Sequence, residues 1–352
     1  MKLTLQPDAL EAWETLKRNR DDHLEMMERL AGYLMNTPCG VTEEDVAQIV
    51  RDCGLDPDEA YRLLLAGMMG LDVADNPRHA RLYHTYLRPR RLTPERFTRD
   101  AYFARVPFRT AVTARWQLGT GVCKPYQLFT AGEPAFVNGT EIQPLGYFAE
   151  PYSYWGVMQD GNDWMTLLPN EIITSRPALE EARGSVTTFG LGLGYFAFHA
   201  SEKDTVSSVT CVERDPEVIG LFNRFILPCF PHREKIRVIE DDAFRYAREV
   251  LPGEKCDFVF ADIWRDVSDG LPCYLRFRAL EHLTPHTVWR YWIEPSMLSH
   301  LRYTVFSFLE DAMEGKGELP FSAGQRSVSP DDLKTWLSDD FLRKLAGTDL
   351  MK

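Results

Sequence analysis

The chain of 352 residues has no C-x-x-C pair. Its seven cysteines (Cys39, Cys53, Cys123, Cys211, Cys229, Cys256, Cys273) are scattered and odd in number. That excludes a disulfide framework or a zinc ribbon and suits a reducing cytoplasm. The eight histidines include no H-E-x-x-H or other metal-ligand spacing, so no metal is expected. Positive charge is in short supply: 40 basic side chains stand against 52 acidic ones, a net charge of −12. A net anion is repelled by phosphate backbones, which disfavours nucleic acid as a partner. Long apolar runs are also missing. The uncharged stretch 184–201 carries four glycines and six hydroxyl or imidazole side chains, too polar to span a bilayer. Pro7 and Asp8 arrive before any apolar stretch can build, so no signal peptide is expected. No internal repeat or low-complexity tract is found. With 44% hydrophobic and 26% charged residues, the chain has the balance of a cytoplasmic globular protein without a membrane partner.

Three regimes follow one another. Residues 1–108 read as a helical N-terminal region. Apolar residues recur at three- and four-residue spacing over 8–18 and 21–35 (Leu10, Trp13, Leu16; Leu24, Met27, Leu30, Leu34). Thr42-Glu43-Glu44-Asp45 and Asp56-Pro57-Asp58-Glu59 are capped helix starts that together form a short helix-turn-helix pair. Asp56, Asp58 and Glu59 would open a reading helix with negative charge, so the pair is expected to pack rather than bind DNA. The arginines between Arg78 and Arg99 form a local basic run. Pairing with acidic surface is favoured over a grip on RNA or an anionic substrate.

Over 109–168 the period becomes two, with hairpin dipeptides at Asn138-Gly139 and Asp160-Gly161, the pattern of a small β-meander. Over 169–314, a helix at 169–182 leads into alternating strands and helices, the signature of a parallel sheet with crossover helices. Strands are predicted at 186–189, 206–212, 235–239, 257–261 and 288–293, with a long helix at 296–313. Residues 315–330 read as a loop, and the remainder to 352 as helical with no closing β-hairpin.

The chemistry gathers at the strand ends. Phe189-Gly190-Leu191-Gly192-Leu193-Gly194-Tyr195 follows the first strand of this region and opens a helix. Glycines serve where the chain turns tightly and where backbone must approach a ligand, and the helix start offers free N–H donors. The second strand ends in Glu213, nineteen residues past Gly194, where a carboxylate can accept from both ribose hydroxyls of an adenosine. The third runs into Glu240-Asp241-Asp242-Ala243 and the fourth ends in Asp262, at the edge where open α/β sheets bind ligands. A dinucleotide turn wants glycine at its sixth position, which here is Tyr195.

The pattern G-x-G-x-G with these tip acids resembles the class I S-adenosylmethionine-dependent methyltransferases and their relatives the spermidine synthases, over 170–313. The resemblance implies a Rossmann-like fold in which Gly190, Leu191, Gly192, Leu193 and Gly194 cradle the methionine portion and ribose. By the same resemblance Glu213 and Arg214 sit at the ribose, Asp242 and Ala243 at the adenine, and Asp262 at the point of transfer. Trp264 and Asp266 would face a small-molecule acceptor. The preceding β-meander is similar to the small β-domain of spermidine synthases. Those enzymes also carry an acid inside the glycine turn, where this chain has Leu193 and Tyr195. Their second fourth-strand acid follows the first by three residues, whereas Asp266 follows Asp262 by four. With one anchor of three in place, methyl transfer from S-adenosylmethionine ranks above aminopropyl transfer from its decarboxylated form. A non-catalytic cofactor-binding or interaction protein is the third reading, and a homo-oligomer is left open.

Overall fold

A computed structural model describes residues 7–107, 109–137, 139–160 and 162–315. Asn138 and Gly161 of the hairpin dipeptides, most of the expected loop at 315–330 and everything after it lie outside the described residues. So does the question of a closing hairpin.

The described residues form two compact units that interleave along the chain. One gathers residues up to Arg90, Gln127–Tyr147 and the chain from Pro295. Its first helix, α1 (Pro7–Asn36), is continuous where the pattern predicts two. Asn19-Arg20-Asp21 contains no glycine or proline to break it, and the seam is held in place. Asn19 Nδ2 donates to the Gly139 carbonyl (3.1 Å), and buried Asp22 accepts from Arg78 Nε (3.1 Å) and Arg81 Nε (2.7 Å). Arg78 also pairs with Glu25 (2.8 Å). The start of the basic run is therefore spent on the acidic side of α1, as expected. Helices α2 (Glu43–Cys53) and α3 (Pro57–Met68) begin at the predicted caps: Thr42 with Asp45 forms a capping box, and Asp56 precedes Pro57. Helix α4 (Pro77–Tyr86) follows. Asp58 is occupied by the Tyr147 hydroxyl at 2.5 Å.

The other unit comprises Arg91–Tyr126 and Phe148–Glu294. It holds an antiparallel sheet of β1 (Ala111–Val112), β2 (Trp116–Cys123), β3 (Tyr152–Gln159) and β4 (Asn162–Thr166), in that order. Within the expected meander, residues 127–147 leave this sheet, and their short strands belong to the first unit. The parallel sheet has β5 (Gly184–Phe189), β6 (Val206–Glu213), β7 (Ile236–Glu240), β8 (Phe258–Ala261) and β9 (Val288–Tyr291). Their order is β7-β6-β5-β8-β9, all neighbours parallel, the winding of a Rossmann-type sheet. Helices α5 (Ala101–Arg105), α6 (Pro169–Glu181), α7 (Tyr195–Glu202), α8 (Pro216–Leu221) and α9 (Val267–Arg278) accompany them. Central strands covered on both faces need apolar residues throughout, and Val186, Val209, Phe258 and Val259 are fully buried.

Register does the rest. Phe189 lies level with Val212 and Ala261, and Val212 with Ile239. The next residues, Gly190, Glu213, Asp262 and Glu240, therefore share one edge of the sheet.

Candidate functional site

That edge opens into a cavity of about 610 Å³ lined entirely by residues of the second unit, within the range of ordinary small-ligand sites. Its floor is the glycine turn between β5 and α7. Gly190 has φ +93°, and a Cβ there would run into the Asp262 backbone carbonyl, which cannot yield. The turn is clasped from both sides, since Gly190 N–H donates to the Val212 carbonyl (2.9 Å) and Asp262 N–H to the Phe189 carbonyl (2.8 Å). Gly192 lies in the cavity lining, and beside it the thioether of Met165, from β4, stands where its Cβ would go and accepts the Leu193 N–H at 3.2 Å. Leu191 and Leu193 are buried, and Gly194 caps α7 in the left-handed region.

Behind the turn, the Leu193 carbonyl accepts from the Tyr102 hydroxyl (2.6 Å). Asp100 caps α5 through Tyr102 N–H and also takes the Tyr195 hydroxyl and His199 Nε2, each at 2.8 Å. Burial opposes the Asp100 charge, but these hydrogen bonds and the His199 charge outweigh it and hold the carboxyl below its ordinary value. A carboxylate only accepts, so His199 Nε2 carries the proton.

Glu213, at the tip of β6, accepts Asp215 N–H on Oε1 (2.9 Å) and Leu191 N–H on Oε2 (3.3 Å). Burial raises its carboxyl above the usual value despite these bonds and the backbone N–H of Arg214, which also lowers it, and Glu213 lines the cavity. Arg214 lines the same wall. Asp215 is gripped by Arg115 and by Trp116 Nε1 (3.0 Å), which brings the start of β2 to the rim. Asp242 caps a short helix through Phe244 N–H (3.0 Å) and Arg245 N–H (2.9 Å), both on Oδ1, with Ala243 buried beside it.

The far wall is acidic. Asp262 is pushed up to about 7 by burial, its remaining exposure being to the cavity. Glu171, from α6, is raised well above the carboxylate range by burial and then by the charge of Asp262. Trp264 is buried against Gly270 of α9 and lines the cavity. Asp266 does not reach it. Its Oδ1 accepts Ser268 N–H (2.7 Å), and with Asp269 it forms the capping box of α9, while Asp269 lies in the lining. The sequence motifs did not find Met165, Arg115 or Trp116, which arrive from the antiparallel sheet. For Pro169-Asn170-Glu171 the sequence leaves two readings, a reach toward the cofactor from above and a helix start; Glu171 lies in the first turn of α6 and in the cavity lining. Among the described residues no group of His, Cys, Asp and Glu is placed to hold a metal ion.

No protein-family model matches the chain, and no curated protein matches it. Similar solved structures include spermidine synthase from Thermotoga maritima, at 10% identity and TM-score 0.32, covering 55% of this chain and 80% of that one. A spermidine synthase in complex with the transition-state analogue AdoDATO aligns at 10% identity and TM-score 0.31 over the same shares. Scores of this size carry no assignment, and the fold stands on the strand order itself.

Proposed function

We propose that the cavity binds an S-adenosylmethionine-type nucleoside and that the chain is a transferase moving an alkyl group from its sulfonium to the nitrogen of a small amine. The observation that carries this is the shared strand edge: glycine turn, Glu213 and Asp262 lie level around one cavity, with Asp242 on its wall. The fit is favourable at the ribose end, where Glu213 is held by backbone N–H groups and lines the cavity. It is also favourable in charge. Glu171, Glu213, Asp215, Asp241, Asp242, Asp262 and Asp269 outnumber Arg115, Arg214 and Arg276 in the lining, which suits a cation.

A sulfonium-bound alkyl carbon supplies the electrophile when bound. The residues of the chain have to align the acceptor, exclude water and manage one proton. Asp262, poised near neutrality, takes the proton from the acceptor nitrogen as the N–C bond forms and the S–C bond breaks, the bonding pair leaving with sulfur. Glu171, whose carboxyl is pushed up by burial and by the charge of Asp262, stands in the same lining as a second acid.

The choice of donor turns on Glu171. Motif spacing gives one acid at the transfer point and ranks methyl transfer first. The second carboxyl at Asp262 supports the other order, aminopropyl transfer from the decarboxylated nucleoside, because an amine acceptor needs both a base and an anchor there. The test supplies each donor with putrescine and reads the sulfur product. Methylthioadenosine is expected. S-adenosylhomocysteine formed with an amine acceptor would restore methyl transfer, and neither product, with no binding of either donor by calorimetry, would overturn the transferase reading.

A further inference from the structure

We propose that Asp100 is a positioning residue for ligand binding at the glycine turn, although it does not line the cavity and no motif points to it. This rests on the reading of the turn as the nucleoside cradle. Asp100 is the hub of two arms that end on the turn. Through Tyr102, whose N–H it accepts at 2.9 Å, it seats the residue whose hydroxyl donates to the Leu193 carbonyl at 2.6 Å. Through the Tyr195 hydroxyl at 2.8 Å it fixes the first residue of α7, which does line the cavity. His199, one helical turn further on, closes the set at 2.8 Å, with its ring 4.5 Å from that of Tyr195. Tyr102 is fully buried and packs on Tyr195 and Phe198, so the arms cannot be replaced by water without opening the core.

The reason for such a brace lies in the turn. Three glycines with positive φ in five residues leave the backbone at 190–194 conformationally free, so it keeps one shape toward the cavity only if groups outside the turn hold it. Neutral hydrogen bonds to carbonyls hold such a turn weakly, and a charge-assisted hub holds it about twice as strongly. A site is precise when the groups behind it are themselves fixed.

The test compares Asp100→Ala, Asp100→Asn and Tyr195→Phe with the wild type, using methylthioadenosine and S-adenosylhomocysteine as probes by calorimetry and amide hydrogen exchange without ligand. In Asp100→Ala, exchange at 190–195 should accelerate at least tenfold while the strands of the parallel sheet keep their protection, and probe affinity should fall about tenfold, the worth of one such bond. Asparagine still caps a helix through its one acceptor oxygen but loses the charge and the second acceptor, so Asp100→Asn should keep the Tyr102 arm, lose the Tyr195 arm and give an intermediate loss of both. Tyr195→Phe removes one hydroxyl and should give an intermediate loss, which keeps the proposal testable if the alanine variant does not fold. Unchanged exchange at 190–195 in Tyr195→Phe, or loosening spread evenly over the sheet, would overturn it. If the wild type binds neither probe, the nucleoside reading fails, while the exchange pattern still decides whether Asp100 braces the turn.

Discussion

Two carboxylates at the strand edge differ in what surrounds them, and the difference sets what each substitution does. Glu213 is already tied to two backbone N–H groups, so Glu213→Ala removes a ligand partner and slackens the turn at Leu191 together. Charge-assisted bonds of this kind are worth about 1.5–3 kcal/mol, so nucleoside affinity should fall roughly ten- to a hundredfold by calorimetry while the fold survives. Among the described residues Asp262 has no such partners, and burial lifts it to about 7. Two consequences have definite signs. Without ligand the native state binds a proton that the unfolded chain releases near its ordinary value of 3.8, so the contribution of Asp262 to stability is fully present below that value and is lost as pH rises from about 4 through 7. Asp262→Asn should flatten that fall, read as Tm at pH 5 and pH 8. As a general base the same group must be ionised, so kcat/KM should rise with pH to a plateau above about 7, and the asparagine variant should lose that limb.

At the scale of elements, the turn and the strand above it are one construction. Gly192→Val places a branched side chain where Met165 Sδ sits and where φ is +49°. Affinity should drop sharply, with a loss of stability in the range of overpacking, about 1–3 kcal/mol. Met165 is flexible, so adding Met165→Ala should return part of the stability, with a favourable coupling energy by double-mutant cycle. Additive losses would mean that the backbone, not Met165, is the obstacle. This pair also marks where the sequence stops being legible. The five parallel strands could be read to within a residue or two because apolar runs between helices have no other reading. The glycine turn, Glu213, Asp242 and Asp262 followed, because a βαβ unit puts strand ends on one edge by topology. Met165 over the turn could not be read, and Glu171 could be read only as one of two alternatives, since both depend on a neighbouring element whose placement no local pattern encodes. The same holds for α1. Its apolar spacing is interrupted at Asn19-Arg20-Asp21, and only contacts to Gly139 and Arg81 reveal that the helix continues.

For the whole molecule, the chain passes between its two units at Arg90, Tyr126, Tyr147 and Glu294, and no composition shift or linker marks these points. Every residue lining the cavity nevertheless belongs to 91–126 or 148–294. The ends of the excursion that separates those segments meet, for Tyr126 N–H donates to the Phe148 carbonyl at 2.7 Å. A two-glycine bridge can therefore replace 127–147 without stretching the backbone, and closing so short a loop costs little entropy. The shortened chain keeps both sheets, the clasp on Gly190, the Asp100 hub and the Asp262–Glu171 wall, which together form one apolar core with one site. Removing 1–90, 127–147 and 295–352 together should leave a protein that unfolds in a single cooperative transition. It should bind methylthioadenosine within about threefold of the full chain. Removing 1–90 alone should be worse than removing all three segments. It strips α1 away from Gly139 and leaves 127–147 and 295–315 without the rest of their unit. Calorimetry and gel filtration of the two truncations decide the matter. If the three-segment deletion aggregates while the single one stays monomeric and binds, the site is not self-contained, and the second unit requires the first in order to fold.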